Sequence, residues 1–488
     1  MIATGHVVAA LTVPLAGALL IFALDRLPAW RDAVVMLASV ALLATVATMV
    51  PGVLDGERPG LTLLEMLPGL SIALRIEPLG MLFALVASTL WTVNSLYAIG
   101  YVRANKEAGQ TRFHVCFALA LAATMGIACS ANLLTLFLFY ELLTLVTYPL
   151  VTHSGTPEAR RGGRTYLMML MGTSIVFLLP AIIYTWHVAG TTEFVAGGIL
   201  AGKLPAGALA GLLALFAFGI GKAALMPVHR WLPAAMVAPT PVSALLHAVA
   251  VVKAGVFSIV KVVVYVFGVA PLAAAGATDW LIGVSGFTII AASVVALNAD
   301  NLKRRLAYST VSQLSYIVLA TAILAPLSIV GAVLHIAAHA FGKITLFFAA
   351  GAIHTAAHKS DVSELDGIGR AMPWTMGAFA VASISLIGLP PTAGFISKWY
   401  MLSGAMAASQ WLAVAVIVVS TLLNAGYFLP IVYRAFFVAP AAHAQAAHGE
   451  APLPMVTALV ATAAVTVLLF FLPGLPLALA QQVAAAAR

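Results

Sequence analysis

Long apolar runs separated by short polar punctuation repeat from one end of this chain to the other. Each is about 20 residues long, enough for a helix to cross a hydrocarbon core of roughly 30 Å. Fourteen segments are predicted, at 6–24, 30–50, 77–99, 112–129, 132–152, 164–188, 207–227, 241–268, 279–298, 305–324, 327–356, 373–406, 409–437 and 453–474. The boundary between the fourth and fifth rests on Ser130, Ala131 and Asn132 alone. The pattern predicts an all-α membrane protein, because backbone in lipid is satisfied only in helices or closed barrels and the alternating strands of a barrel are absent. The first segment, His6–Leu24, has neither a positive leading region nor a small-residue cleavage site, so it reads as a retained helix rather than a signal peptide.

Composition agrees. The 488 residues are 62% hydrophobic and 8% charged, with mean hydropathy +1.07, which excludes a soluble domain. The net charge of +8 is a matter of sidedness. Fifteen Lys and Arg, Arg103, Arg112, Arg160, Arg161 and Arg304 among them, fall in loops after odd-numbered segments. Five fall on the other side: Arg58, Arg75, Lys203, Lys261 and Arg488. The positive-inside rule then puts the basic loops in the cytoplasm of a bacterial inner membrane and both termini on the periplasmic side. No nucleic-acid motif is present. Cys116 and Cys129 are thirteen residues apart in one predicted helix, a spacing that makes no metal or redox pair, and both read as small buried hydrophobes.

Two segments carry breaks. The seventh ends at Met226-Pro227, with Pro233, Pro239 and Pro241 following; the twelfth contains Gly388-Leu389-Pro390-Pro391 and Gly394. Proline removes a backbone donor and clashes with the preceding turn, so a kink or unwinding is expected at each. Lys222 lies five residues before the first break and Lys398 seven after the second. The broken helices are five apart, an odd number, so segments four to eight and nine to thirteen, read as repeats, have opposite orientations in the membrane. Broken helices in matching positions of inverted repeats point to a transport site. The expected organisation is 1–110 (three N-terminal helices), 111–270 and 271–440 (the two repeats), and 441–488 (a loop and the last helix).

Ionisable residues lie deep in these segments: Glu141, Lys222, Lys253, Lys343 and Lys398. A charge at the bilayer centre costs roughly 2.5–3.5 kcal/mol on insertion scales, on the order of 12–17 kcal/mol for the set. Glu141 reads either as half of a structural ion pair or as an acid that tunes a lysine. Lys222, flanked by glycines, is open to close approach by a helix or water, and a carboxylate that moves toward or away from it changes its hold on a proton. His247 precedes Lys253 by six residues and suits a relay or a hydrogen-bonded packing role. His335, His339 and Lys343, at i, i+4 and i+8, share one face of the eleventh helix. No acidic or cysteine ligand accompanies the two histidines, so metal binding is not expected. Glu77 and Asp279 begin helices where interfacial water is expected, and Lys261, near a helix end, is expected to snorkel. His354 and His358, and the loop histidines His443 and His448, are expected to be solvated.

The Glu141 helix, the Gly-Lys222 segment, the run Trp231-Leu-Pro through Ala238-Pro-Thr-Pro-Val-Ser-Ala-Leu-Leu-His247, and the run Gly388-Leu-Pro-Pro-Thr-Ala-Gly-Phe-Ile-Ser-Lys398 resemble the antiporter-like family. That family comprises complex I membrane-arm subunits, large Mrp cation/proton antiporter subunits, and relatives in hydrogenase and carbon-uptake complexes. The resemblance covers about residues 75–440. It implies fourteen core helices in two inverted five-helix repeats, and a row of charged residues at mid-membrane. It also implies roles: Glu141 and Lys222 as the pair of a first half-channel, Lys253 as a bridge on helix eight, His335, His339 and Lys343 as the central connection, and Lys398 as the terminal lysine. In length the chain is similar to the D-type Mrp subunit or the shorter complex I subunits, whereas the helix-eight pattern and the lysine on helix twelve resemble the larger type.

The expectation is a proton-translocating subunit of a multisubunit membrane complex, with protons and sodium as candidate ions and other membrane subunits as partners. No catalytic or redox site and no cofactor are expected on this chain; electron chemistry, in an NADH:quinone oxidoreductase-like complex, would lie on partners. An autonomous solute transporter with a midplane site is the alternative.

Overall fold

The structure, a computed structural model, describes residues 4–439 and 449–487, without the side chains of 246 and 247. His443, His448 and Arg488 lie outside the described residues. In chain order the elements are α1 (Thr4–Ala23), α2 (Pro28–Leu54), β1 (Gly60–Leu67), β2 (Leu70–Arg75), α3 (Pro78–Ala104), α4 (Gln110–Ala128), α5 (Leu133–Val151) and α6 (Pro157–Ala189). Then come α7 (Ala206–Gly219), α8 (Val251–Val262), α9 (Asp279–Asn298), α10 (Leu302–Ala322), α11 (Pro326–Ala357), α12 (Pro373–Ile387), α13 (Ala393–Ala407), α14 (Trp411–Phe437), α15 (Leu453–Phe471) and α16 (Gly474–Ala486). Among the described residues, ten helices are long and apolar enough to cross a membrane: α1–α6, α9, α11, α14 and α15. Exposed apolar side chains such as Leu19, Leu37, Val176, Phe287 and Leu422 cover the flanks, and exposed Trp30, Trp374 and Trp411 sit at or near helix starts, as expected of a lipid-facing surface with an interfacial aromatic belt.

Local signals set several boundaries. Asn132 caps α5 by accepting from Thr135 N at 2.8 Å, so the short break between α4 and α5 rests on a real cap. Thr156 caps α6 by accepting from Ala159 N, with Pro157 at the first helical position; Asn301 caps α10. A π turn at Ser174–Leu178 sits just ahead of Pro180, which cannot donate to the helical ladder.

α11 is the axis of the molecule. Its most apolar window is wholly buried, against a third for α1, α2 and α15. It packs on α3, α10, α12, α13, α15 and α16. The ends of the helices form two faces. The hairpin face carries β1–β2 and the bridges Leu74↔Ser130 and Asn132↔Glu193. The opposite, basic face carries the bridge Asn301↔Asp361 and the ion pairs Arg103–Asp32 and Arg434–Asp366.

Four expectations need correction. The chain is mostly, not wholly, helical: residues 60–75 pair as an antiparallel ribbon, turned at Gly69 with φ +74. The seventh helix ends at Gly219, earlier than its prolines require, so Lys222 lies within the break rather than before it. The reason is packing as well as proline: a Cβ at Gly219 would meet Leu178 backbone at 2.5 Å, and one at Gly221 would meet Thr173 Oγ1 at 2.3 Å. The eighth segment is not one α-helix, since π turns at Leu245–Val249 and Val263–Phe267 flank α8. The chain also continues past α15 into α16, which lies against α3 and α11.

Candidate functional site

Lys222, Lys253, Lys343, His335 and His339 are all 0% exposed and Lys398 is 6% exposed. A buried ammonium is tolerated only with partners, and each lysine has them. At the first break, Lys222 Nζ donates to Tyr140 O (2.6 Å) and Thr144 Oγ1 (2.7 Å) on α5, over the Tyr140 ring. Lys222 N in turn donates to Tyr140 Oη at 3.0 Å. Glu141, the next residue, is half-buried; both carboxylate oxygens are buried and make no ion pair with Lys222, and the Ser174 hydroxyl on α6 is the polar side chain beside them. The expected Glu141–Lys222 pair is therefore not closed here: the lysine is held one residue away, by the backbone of Tyr140. Gly255 lets α8 lie on this break, because a Cβ there would stand 2.3 Å from Ala223 N and from Lys222 C.

Two residues before Gly255, Lys253 Nζ contacts His339 Nδ1, so α8 and α11 share a proton-bearing contact. The His339 and His335 rings are 6.0 Å apart. His335 Nδ1 lies 2.8 Å from Ser397 Oγ on α13, and Nε2 lies 2.9 Å from Gln313 Oε1 on α10. Ser397 Oγ is also 3.0 Å from Gly394 O. This arrangement satisfies both protonation states. In the neutral ring Nε2–H donates to Gln313 and the Ser397 hydroxyl donates to Nδ1. In the charged ring Nδ1–H donates to Ser397, whose hydroxyl turns to Gly394 O.

At the second break, Lys398 Nζ donates to Leu386 O and Ile387 O, both at 3.0 Å, at the buried carbonyl end of α12. A cation at a helix C-terminus is favoured by the backbone dipoles. With its amide oxygen turned toward them, Asn424 on α14 accepts from Lys398 Nζ (3.1 Å) and Gln313 Nε2 (2.9 Å), which ties Lys398 to the His335 partners. Gly388, at φ +93, makes room for the lysine stem: a Cβ would come within 2.6 Å of Lys398 Cδ. Lys343 forms a branch, donating to Ser309 Oγ at 2.9 Å, which also accepts from Tyr427 Oη at 3.1 Å.

The structure thus joins Lys253, His339, His335, Gln313, Asn424 and Lys398 in one series, with Lys343 beside it. Lys222 and Glu141 lie across the Gly255 contact. His247 falls on the π turn before α8, and its side chain lies outside the described residues. Sequence reasoning missed Gln313, Ser309, Tyr140 and Thr144. The first two belong to a polar stripe, Ser309, Ser312, Gln313 and Tyr316, on α10, a helix that also carries Thr310, Ser315 and Thr321. It also misjudged Lys261, which does not snorkel. It is 0% exposed, and its Nζ lies 2.6 Å from Glu77 Oε2, itself only 6% exposed. His354 and His358 are exposed, as expected.

Fold and site together define a polytopic helical membrane protein with a buried Lys/His series between two interrupted helices. The family of NADH:quinone oxidoreductase and Mrp antiporter transmembrane proteins matches residues 130–424, and the chain belongs to it. It is 35% identical to NADH-quinone oxidoreductase subunit N of Desulforudis audaxviator, over 76% of this chain and 74% of that one. It is 27% identical to a Na(+)/H(+) antiporter subunit of Alkalihalophilus pseudofirmus, over 78% of each. In fold it is similar to a chain of the Mrp complex from Dietzia sp., with TM-score 0.86 and 23% identity, over 99% of this chain and 97% of that one.

Proposed function

We propose that this chain is an antiporter-like, proton-translocating subunit of a multisubunit membrane complex of the Mrp or complex I type. The observation that carries this reading is the series from Lys253 through His339, His335, Gln313 and Asn424 to Lys398, which crosses α8, α11, α10, α14 and α13. Each member donates to or accepts from the next or stands one short gap from it, and His335 keeps its partners whether charged or neutral. The lysines and histidines are the groups that take up and release the proton; the Gln313 and Asn424 amides hold His335 and Lys398 beside each other, and transfer between those two runs through water. Glu141 and Lys222 form a second ionisable site at the other break.

Fourteen crossings accommodate the ten long helices together with the interrupted seventh and twelfth, the eighth and the tenth. Segments four to eight and nine to thirteen then form the inverted repeats, the hairpin face lies on the periplasmic side with both chain ends, and the basic face is cytoplasmic. Sodium or potassium as the exchanged ion, and the driving reaction, belong to the partner subunits. The alternative of an autonomous solute carrier requires a binding space between the breaks. There the polar side chains engage one another, Lys253 touching His339 and His335 reaching both Ser397 and Gln313.

The test is proton movement in membrane vesicles containing the whole complex. Lys253→Ala is expected to lower the rate per assembled complex by about tenfold or more. A wild-type rate in that variant removes the proposal.

A further inference from the structure

The buried pair Glu77–Lys261 stands apart from this series. Lys261 lies eight residues beyond Lys253 in α8, about 12 Å along the axis at 1.5 Å per residue. Its partner Glu77 precedes α3 and takes Arg75 Nε at 3.4 Å on its other oxygen. Beside the pair, on the hairpin face, a cavity of about 420 Å³ is lined by Arg58, Arg75, Glu77, Phe194, Tyr265 and Gln482. That is room for roughly a dozen waters at about 30 Å³ each. The Phe194 and Phe257 rings face the Lys261 ammonium, and the titratable groups facing the pair are Arg58, Arg75, Glu193, Cys129 and Tyr265. Arg75 comes from the ribbon, with Glu193 3.6 Å from its guanidinium; Cys129 ends α4; Tyr265 follows α8. A buried ion pair needs no cavity to tie two helices together, and as a tie it is a poor one, since its desolvation offsets most of its attraction. A pair whose carboxylate stands at the wall of a cavity that also carries Arg58, Arg75 and Gln482, and whose lysine is on the helix that carries Lys253, is placed to exchange protons.

We propose that Glu77 and Lys261 form the site at which protons exchange with water on the hairpin face, on the helix that carries Lys253. This rests on the proton-translocating reading above and adds a site apart from both helix breaks.

The experiment uses the whole complex, with Cys116→Ala and Cys129→Ala as background. Glu77→Cys and, separately, Tyr265→Cys are treated with a membrane-impermeant maleimide in right-side-out and in inverted vesicles. Labelling from one side only is expected; no labelling of either cysteine from either side overturns the proposal. Proton movement per assembled complex, read by acridine dye on addition of Na⁺, K⁺ or NADH, is then compared for Lys261→Arg and Lys261→His. A structural tie favours arginine, which keeps a permanent charge opposite Glu77. An exchange site favours histidine, which still binds and releases a proton, and the arginine variant is expected to be at least about tenfold slower than wild type. A rate for arginine equal to or above that for histidine overturns the proposal. Lys253→Ala is run alongside: if it too moves protons at the wild-type rate, the functional reading fails, whereas a slow Lys253→Ala beside a fast Lys261→Arg removes only the exchange site.

Discussion

The two breaks hold their lysines in different ways. Lys222 is held by a neighbouring helix, through Tyr140 O and Thr144 Oγ1, with the carboxylate of Glu141, which forms no ion pair with it, one residue away. Lys398 is held by its own broken helix, through the carbonyl end of α12, and by the Asn424 amide, and none of these partners is a carboxylate. The first site can therefore change the field on its lysine by moving a charge. The second offers backbone dipoles, an amide and the Tyr316 hydroxyl, with no carboxylate among them to move toward or away from its lysine. A movable charge suits a point where protons are loaded, and fixed dipoles suit a point where they are passed on.

The comparison breaks most severely at the glycine that joins the first site to the series. Gly255→Ala sets a Cβ 2.3 Å from backbone atoms of Ala223 and Lys222, which cannot give way as a side-chain end can. Complex assembly should be lost or halved, read by native gel. At the second break the clash of Gly388→Ala is with the flexible stem of Lys398, so its cost is mainly the positive φ, about 1–2 kcal/mol, read as a lowered melting temperature.

Next in size are two changes of charge. Glu141→Gln removes the charge but keeps an oxygen that can face the Ser174 hydroxyl. Proton movement should fall about tenfold with the melting temperature unchanged. If stability falls as well, Glu141 is a structural partner and the contrast between the breaks is wrong. Asn424→Asp does the reverse, placing a carboxylate beside Lys398 so that the second break copies the first. The ammonium form of Lys398 is then favoured, and proton movement should slow several-fold with a shifted pH profile.

The smallest effect is expected at the basic face. Arg434, hydrogen-bonded to Asp366 at 2.6 and 3.0 Å, holds that carboxyl below the usual carboxylate range. A lowered folded-state value means that the contribution is present at neutral pH, above the unfolded value, and is lost as the pH falls through the lowered one. Asp366→Asn should therefore lower the melting temperature slightly at pH 7 and not at all at strongly acidic pH. The clamp is partly exposed and its worth is small.

Much of this was legible along the chain. The Gly388–Pro391 break falls where its residues place it, and the i, i+4, i+8 spacing does put His335, His339 and Lys343 on one buried face of α11. Legibility failed where a residue's role depends on what faces it. Lys261 looks like any lysine near a helix end until Glu77, 184 residues away, is set against it. The end of α7 was misplaced because prolines are visible in sequence, whereas the contacts of Gly219 with Leu178 and of Gly221 with Thr173 are not.

By itself the sequence determined the helical, membrane-spanning character, the two interruptions and the kinds of ionisable group buried between them. These are local properties: hydropathy over about 20 residues, the missing donor of proline, the spacing of side chains on one helix. Only the tertiary structure decided which groups meet, Lys253 with His339, His335 with Gln313 and Ser397, Lys398 with the end of α12, and Lys261 with Glu77. The apolar pattern that drives a helix into lipid is nearly the same around its circumference. The choice of neighbour falls instead to close packing at glycines and to a few polar contacts, which join residues far apart in the chain.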